Sequence, residues 1–337
     1  MFQRFVDVFT GVSRSAVELN LFSKGGGNPR SSRTSVRTHV SPGTDSPWSG
    51  RSSSERGPQV HPSPGQSAGW ADMAAEEAEG AAGRADVAVS LALLTGVVLL
   101  SDGVRRMLGR VFAHSRLEVY AAELVSTLQL CCCTHELRVL SEVGGIERRL
   151  AHSLTYLAAV VHGLTFKGAL GNPAGTLVHV YRQKLALGEA LRRIACQFAA
   201  ATAARVVVRL VWSLGLSEMH VRHQAHDFQC TSPVHAPLAD TAVELACAFV
   251  VQTAITHTRN LEEKFRVHAV AAVITTAVYA GGPSTGAVFN PALAFSTQFL
   301  CSGHSLPEYC LVYWLGPVLG MLGSVLLSDW LERLFWR

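Results

Sequence analysis

Charge is scarce in this 337-residue chain. Asp, Glu, Lys and Arg make up 16% of it, against ~25% in an ordinary soluble domain. Together with 48% hydrophobic residues, the deficit argues against a soluble protein and for one surrounded by lipid. The net charge of +4 is dispersed, and no basic run is interleaved with the sparse aromatics (8%). Nucleic acid is therefore not an expected partner. No Cys-x-x-Cys pair occurs among the eight cysteines, so the common zinc-site spacing is missing. The triplet Cys131-Cys132-Cys133 cannot pair with itself without strain. No Asn-x-Ser/Thr acceptor for glycosylation is present: Asn28, Asn172 and Asn290 precede proline, and Asn20 and Asn260 lack the hydroxyl two residues on. Neither a metal nor a cofactor is expected.

What is present is organised around Val278-Tyr-Ala-Gly-Gly-Pro-Ser-Thr-Gly-Ala-Val-Phe-Asn-Pro-Ala-Leu-Ala-Phe295. This apolar stretch contains three glycines and a proline, and restarts at Asn290-Pro291-Ala292. A broken backbone in lipid leaves N–H and C=O groups without water, so it is tolerated only where it lines a cavity. Asn before Pro is a helix start, with Asn as N-cap and Pro at the first helical position. The expected object is a short re-entrant helix whose positive end points into the membrane interior. A second Asn172-Pro173-Ala174 stands in the first half of the chain.

Residues 1–72 are rich in Ser, Gly, Pro and Arg. Such composition buries too little apolar surface to fold. The readings open are a disordered tail, a stretch upstream of a true start at Met73, and a mitochondrial presequence. Residues 73–114 form a hydrophobic or amphipathic N-terminal segment. Its apolar run Val87–Leu100 follows acidic residues and precedes Arg105, Arg106 and Arg110, which suits an extra span or an interfacial helix. Residues 115–330 form the membrane domain, and 331–337 a short cytosolic tail. Six segments near 117–137, 151–168, 189–213, 240–258, 266–283 and 308–329 read as membrane helices. The pieces starting at Asn172 and Asn290 are too short to cross. Lys and Arg concentrate before the first and third spans, between the fourth and fifth, and at the C-terminus. That places both ends of the six-helix unit in the cytosol.

The halves repeat. Ala121-Ala-Glu123-Leu opens the first helix and Ala242-Val-Glu244-Leu the fourth, and the two Asn-Pro-Ala triplets recur at nearly the same separation. Each half holds three spans, an odd number, so the second is inverted relative to the first. Inverted repeats with broken helices at the midplane are a transport architecture. Glu123 and Glu244 either reach the interface from helix ends or accept hydrogen bonds from the unwound backbone beside each half-helix. The second reading is preferred.

Two such triplets after the second and fifth spans, with a glutamate in the first and fourth, resemble the aquaporins over about 115–330. Leu128-Gln-Leu-Cys-Cys-Cys-Thr-His-Glu-Leu137 and Leu210-Val-Trp-Ser-Leu-Gly-Leu216 resemble the divergent intracellular branch, although that branch usually alters the first triplet and this chain does not. The resemblance implies an all-α membrane fold: an inverted repeat of six spans plus two re-entrant half-helices. It also implies a passive channel for water and small neutral solutes, a homotetramer in lipid, and an endoplasmic reticulum location. The pore residues would be Asn172, Pro173, Ala174, Asn290, Pro291 and Ala292, with the asparagine amides donating to a passing water oxygen. The family's filter arginine directly follows the second triplet, where this chain has Leu293. Ala287 and Val278 fall at neighbouring filter positions, and the second-helix member is not placed. A small apolar filter would be wider, admitting glycerol and hydrogen peroxide.

Two rivals stand beside the channel. One is a membrane protein with a structural or homeostatic role and little conductance. The other is an enzyme using Cys131, Cys132, Cys133, His135 and Glu136, which requires those side chains to converge. Cys230, in a non-cytosolic loop, is either a disulfide or redox-sensitive partner or a solvated thiol. Arg205 and Arg209 should face protein or the interface, and Ala199, Ala200, Ala203 and Ala204 suit close helix packing.

Overall fold

The structure, a computed structural model, describes residues 64–113 and 115–335. The readings made of residues 1–63 lie outside the described residues. The bundle falls within Asp72–Arg337. Its helices are α1 (Pro64–Val111), α2 (Leu117–Glu142), α3 (Arg148–Thr165), α4 (Pro173–Tyr181), α5 (Leu187–Trp212), α6 (Glu218–Ala225), α7 (Pro237–His257), α8 (Glu263–Thr285), α9 (Pro291–Thr297) and α10 (Leu306–Phe335). Among the described residues there are no strands, only an isolated bridge between Thr231 and Ser302. The expected all-α inverted repeat is what is found, with α4 and α9 as the half-helices.

Helices occur at all six expected spans. By length and apolarity alone, however, the candidates to cross a membrane are α5, α7, α8, α10 and the Ala82–Val111 part of α1. α2 falls short because it carries Glu123, Glu136 and Arg138. Those charges are directed at protein partners rather than lipid, because an ionisable group left facing hydrocarbon is costly. Glu136 accepts from Ser90 Oγ (2.6 Å) and Trp212 Nε1 (2.8 Å), and lies 3.2 Å from His220 Nε2.

α1 runs the depth of the bundle rather than lying across one face. At one end Asp86 accepts from the Met219 backbone N–H on α6 (3.2 Å), and at the other Asp102 lies 3.8 Å from Lys167 Nζ, just past α3. Asp86, Ser90, Leu94, Val98, Ser101 and Arg105 are all buried. Their spacing of three and four residues puts them on one helical face. That face meets α2, where Arg105 donates to Gln129 Oε1 at 2.8 Å.

Alternating helix directions put the α2–α3, α5–α7 and α9–α10 connections on one side of the bundle. A Cys230–Cys301 disulfide joins the last two of these, supported by Ser232 N–H donating to Ser302 O (2.8 Å) and Ser302 N–H to Cys230 O (3.0 Å). The α3–α5 and α7–α8 connections lie on the other side, where Arg182 pairs with Asp329 at the end of α10 (3.1 Å).

Small residues set the close crossings. A Cβ on Gly163 would meet Val267 at 2.9 Å, fixing α3 against α8. On α10, a Cβ on Gly316 would meet Thr241 O at 3.0 Å, and one on Gly320 would strike Leu245 O and Ala248 Cβ. This is a Gly-x-x-x-Gly contact onto α7. On α5 the buried stripe is Gln197, Ala200, Ala201, Ala204 and Val208. Ala199 and Ala203, expected among the packing residues, face outward instead, because they are offset from that stripe by a fraction of a turn.

The break expected at Gly281-Gly282-Pro283 is not there. α8 continues through all three to Thr285 and ends at Gly286, which is left-handed at φ 80°. Gly281 serves packing: its Cβ would meet Val243 at 2.9 Å and Cys247 Sγ at 3.0 Å. Pro283 is exposed in the last turn; having no N–H, it gives the Tyr279 carbonyl no i→i−4 bond, yet the helix continues past it.

Gly320→Ala is expected to lower stability by ~1–3 kcal/mol through overpacking, read as the thermal midpoint of the purified chain in detergent. Gly323→Ala, whose Cβ meets only Phe249 at 3.9 Å, should leave the midpoint unchanged or raise it slightly. Equal effects at the two sites would contradict the assigned crossing.

Candidate functional site

Each half-helix begins the same way. Asn172 and Asn290 are extended N-caps, with Pro173 and Pro291 opening the helices. Asn172 Oδ1 accepts from Ala174 N–H (2.9 Å), and Asn290 Oδ1 from Ala292 N–H (3.1 Å) and Leu293 N–H (3.3 Å). Ala174 and Ala292 are wholly buried, so the starts are packed as well as capped.

The chain entering each half-helix is unwound, and a carboxylate gathers its N–H groups. Glu123 accepts from Leu170 N–H (3.1 Å) and Gly171 N–H (2.6 Å), and also from Gln197 Nε2 (2.6 Å). Glu244 accepts from Val288 N–H (2.9 Å), Phe289 N–H (2.6 Å) and Thr285 Oγ1 (2.6 Å). Both carboxylates are fully buried. In each half the bonded amides belong to the two residues before the asparagine. The residue just before it is left-handed in both halves: Gly171 at φ 61° and Phe289 at φ 36°. Glycine takes that conformation freely. For Phe289 it costs on the order of 1–3 kcal/mol, which the Glu244 bond helps to offset.

The two starts are locked to each other. Asn172 Nδ2 donates to Phe289 O (3.1 Å), and Asn290 Nδ2 donates to Gly171 O (2.8 Å). One hydrogen of each amide is thus committed to the facing loop, and one remains. The sequence suggested that both amides donate to a passing water oxygen and gave no sign of this crossing.

One cavity, of about 780 Å3, passes this point and is lined by both asparagines. On the disulfide side its wall includes Ser141, Glu142, Arg148 and His152; on the other it includes His179, Gln252 and Arg266. Val278, Ala287 and Leu293 all line it. α3 supplies a lining face that includes Arg148, His152, Thr155, Ala159 and His162, with the His152 ring 5.1 Å from that of Tyr279. Its signal was available: His152, Thr155, Ala159 and His162 mark one face of α3 at helical spacing. His162 Nε2 and Gln298 Oε1 also reach this lining, buried and without a hydrogen-bond partner among the described residues. No sequence pattern singled out Gln298.

The Cys/His/Glu set does not converge. Among the described residues no cluster of three His, Cys, Asp or Glu side chains suits a metal. Cys131, Cys132 and Cys133 are buried packing residues. His135 meets Ser296 Oγ at 3.0 Å, while Glu136 binds Ser90, Trp212 and His220 on another face of α2. Consecutive helical residues point in different directions, so the enzyme reading fails on geometry. Arg205 lies over the Phe295 ring at 5.9 Å.

An inverted repeat with two half-helices tip to tip beside a cavity reaching both ends of the bundle defines a membrane channel. The sequence profile described as Major intrinsic protein matches residues 113–327. The chain is 38% identical to aquaporin-11 of Homo sapiens over 244 residues, covering 72% of this chain and 89% of that protein. It is 35% identical to aquaporin-12 of Mus musculus over 259 residues, covering 75% and 89%. The aquaglyceroporin from Plasmodium falciparum, known from an X-ray structure, shares the fold with a TM-score of 0.52 at 15% identity, covering 62% of this chain and 94% of that one. The chain belongs to the major intrinsic protein family, the aquaporins: it is a multi-pass membrane channel and not an enzyme.

Glu244→Gln is expected to cost ~1.5–3 kcal/mol, because the amide turns an NH2 group toward backbone donors. The check is the denaturation midpoint in detergent, with Glu262→Gln as control. Glu262 pairs with Lys264 at 2.8 Å on the surface and should contribute almost nothing. Cys230→Ser opens a loop of 71 residues and is expected to cost about 4 kcal/mol by the loop-closure estimate. The unchanged protein should lose the same stability under reductant, while the variant should not respond to it.

Proposed function

We propose that the cavity is a passive pore for water and small neutral solutes, glycerol and hydrogen peroxide among them. The observation that carries this reading is that one cavity, lined at both ends of the bundle, passes the paired asparagines. The remaining amide hydrogen of Asn172 and of Asn290 donates to the oxygen of each permeating molecule. Pro173, Ala174, Pro291 and Ala292 hold the two starts. The positive ends of α4 and α9 face the same point and disfavour cations. Glu123 and Glu244 support the pore loops.

The filter, in this reading, is Val278, Ala287 and Leu293, with His152 as its α3 member. Leu293 takes the place of the family's arginine. An apolar wall with few polar stations raises the penalty for ions and lowers that for a solute such as glycerol, which presents both CH and OH groups.

The protein is proposed to act as a homotetramer in the endoplasmic reticulum membrane, with the disulfide side toward the lumen. Two independent arguments support that orientation. A disulfide persists in an oxidising compartment, and the Lys/Arg-rich connections lie on the other side.

The test is reconstitution of the full chain into vesicles, with stopped-flow light scattering under water, glycerol and peroxide gradients. Swelling no faster than in empty vesicles would leave the structural, poorly conducting role in its place. Leu293→Arg is expected to cut glycerol permeability about tenfold, equivalent to ~1.4 kcal/mol of added barrier, with water flux retained. Glycerol flux unaffected by the change would remove Leu293 from the filter.

A further inference from the structure

Arg138 is an ionisable residue of the disulfide-side mouth that the assignments above leave unused. It projects from α2 into the lining of the cavity. Its NH1 donates to Thr297 O at 2.8 Å, while Nε and NH2 form a fork on Glu142, Nε donating to Oε1 at 3.0 Å and NH2 to Oε2 at 3.4 Å. Thr297 closes α9, and its hydroxyl donates to Leu293 O one turn earlier (2.9 Å). The guanidinium therefore stands about one helical turn, ~5.4 Å, beyond Leu293 toward the mouth. The Thr297 carbonyl belongs to the negative end of the half-helix, so the contact is charge-assisted and holds the side chain in place.

Glu142 offsets this charge only in part. Its side chain is 57% exposed against 21% for Arg138, so water screens the carboxylate more than the guanidinium. Arg148 lines the same mouth, leaving two cations to one anion. We propose that Arg138 is the selectivity cation of this pore: supplied by α2 rather than by the residue after the second Asn-Pro-Ala, it repels cations and donates to oxygen-bearing solutes. The proposal rests on the pore reading above. Its physical content is a positive potential at a named place in the mouth, which is measurable without conduction.

The experiment uses the full chain in vesicles carrying Ser141→Cys, an exposed position in the same lining. Reaction rates of that thiol with an anionic and a cationic methanethiosulfonate reagent are compared by mass spectrometry. Arg138→Gln removes the charge while keeping a polar side chain with an amide donor. It is expected to lower the anionic-to-cationic rate ratio about fivefold, the effect of one unit charge within several ångströms in water. Glu142→Gln, an exposed change with little bearing on folding, should raise the ratio. Ratios unmoved by both variants overturn the proposal, as does a rise with Arg138→Gln. In parallel, Arg138→Ala should raise glycerol flux severalfold relative to water. If the unchanged protein passes neither solute while the thiol ratios shift as stated, the pore reading fails and the placement of the charge stands.

Discussion

Two buried carboxylates hold the waist of this protein open. A half-helix that starts inside a membrane protein must be entered by unwound chain, and unwound chain exposes N–H groups where no water can reach them. Glu123 takes the amides of Leu170 and Gly171, and Glu244 those of Val288 and Phe289. Without these acceptors neither asparagine would be presented at the cavity. The supports are not identical: Glu123 is joined by Gln197 from α5, and Glu244 by Thr285. The Thr285 carbonyl in turn accepts from Tyr313 Oη at 2.8 Å. Tyr313 lies in the π turn Leu311–Leu315, whose wider winding changes which faces of α10 meet the bundle. The repeat thus preserves the essential contact while its surroundings have diverged.

Close glycine contacts and one covalent link complete the frame. Gly316 and Gly320 bring α10 onto α7 beside Glu244, so the support of the second half-helix and the packing of the last span are one arrangement. The Cys230–Cys301 bond ties the loop after α5 to the one after α9, on the side where Arg138, Glu142 and Arg148 line the cavity. α1 adds a buried polar stripe to the outside of this unit, paired with α2 and α6 through Asp86, Ser90 and Arg105.

Much of this was legible because membrane burial makes sequence patterns expensive to break. Paired Asn-Pro-Ala triplets, paired glutamates and apolar lengths pointed to the inverted repeat and the half-helices. The misreadings share a cause. The Gly281-Gly282-Pro283 run looked like a helix break because composition does not distinguish a glycine that bends from one that is crossed by a neighbour. Ala199 and Ala203 were grouped with Ala200 and Ala204 because spacing defines a stripe but not its phase. Gln298 and Arg138 were silent for another reason: a residue lining a cavity owes its role to helices distant in sequence, and little that is local marks it. The crossed amide bonds belong to the same class, since they join residues more than a hundred positions apart.

Those crossed bonds also bear on biosynthesis. Asn172 finds its acceptor at Phe289 and Gly171 its donor at Asn290, so the N-terminal half emerges from the ribosome with an unmet amide and an unmet carbonyl at mid-depth. Neither is satisfied until the C-terminal half has been translated and inserted beside it. A nascent chain halted between the repeats would therefore leave both groups unpaired, and only the finished polypeptide closes them.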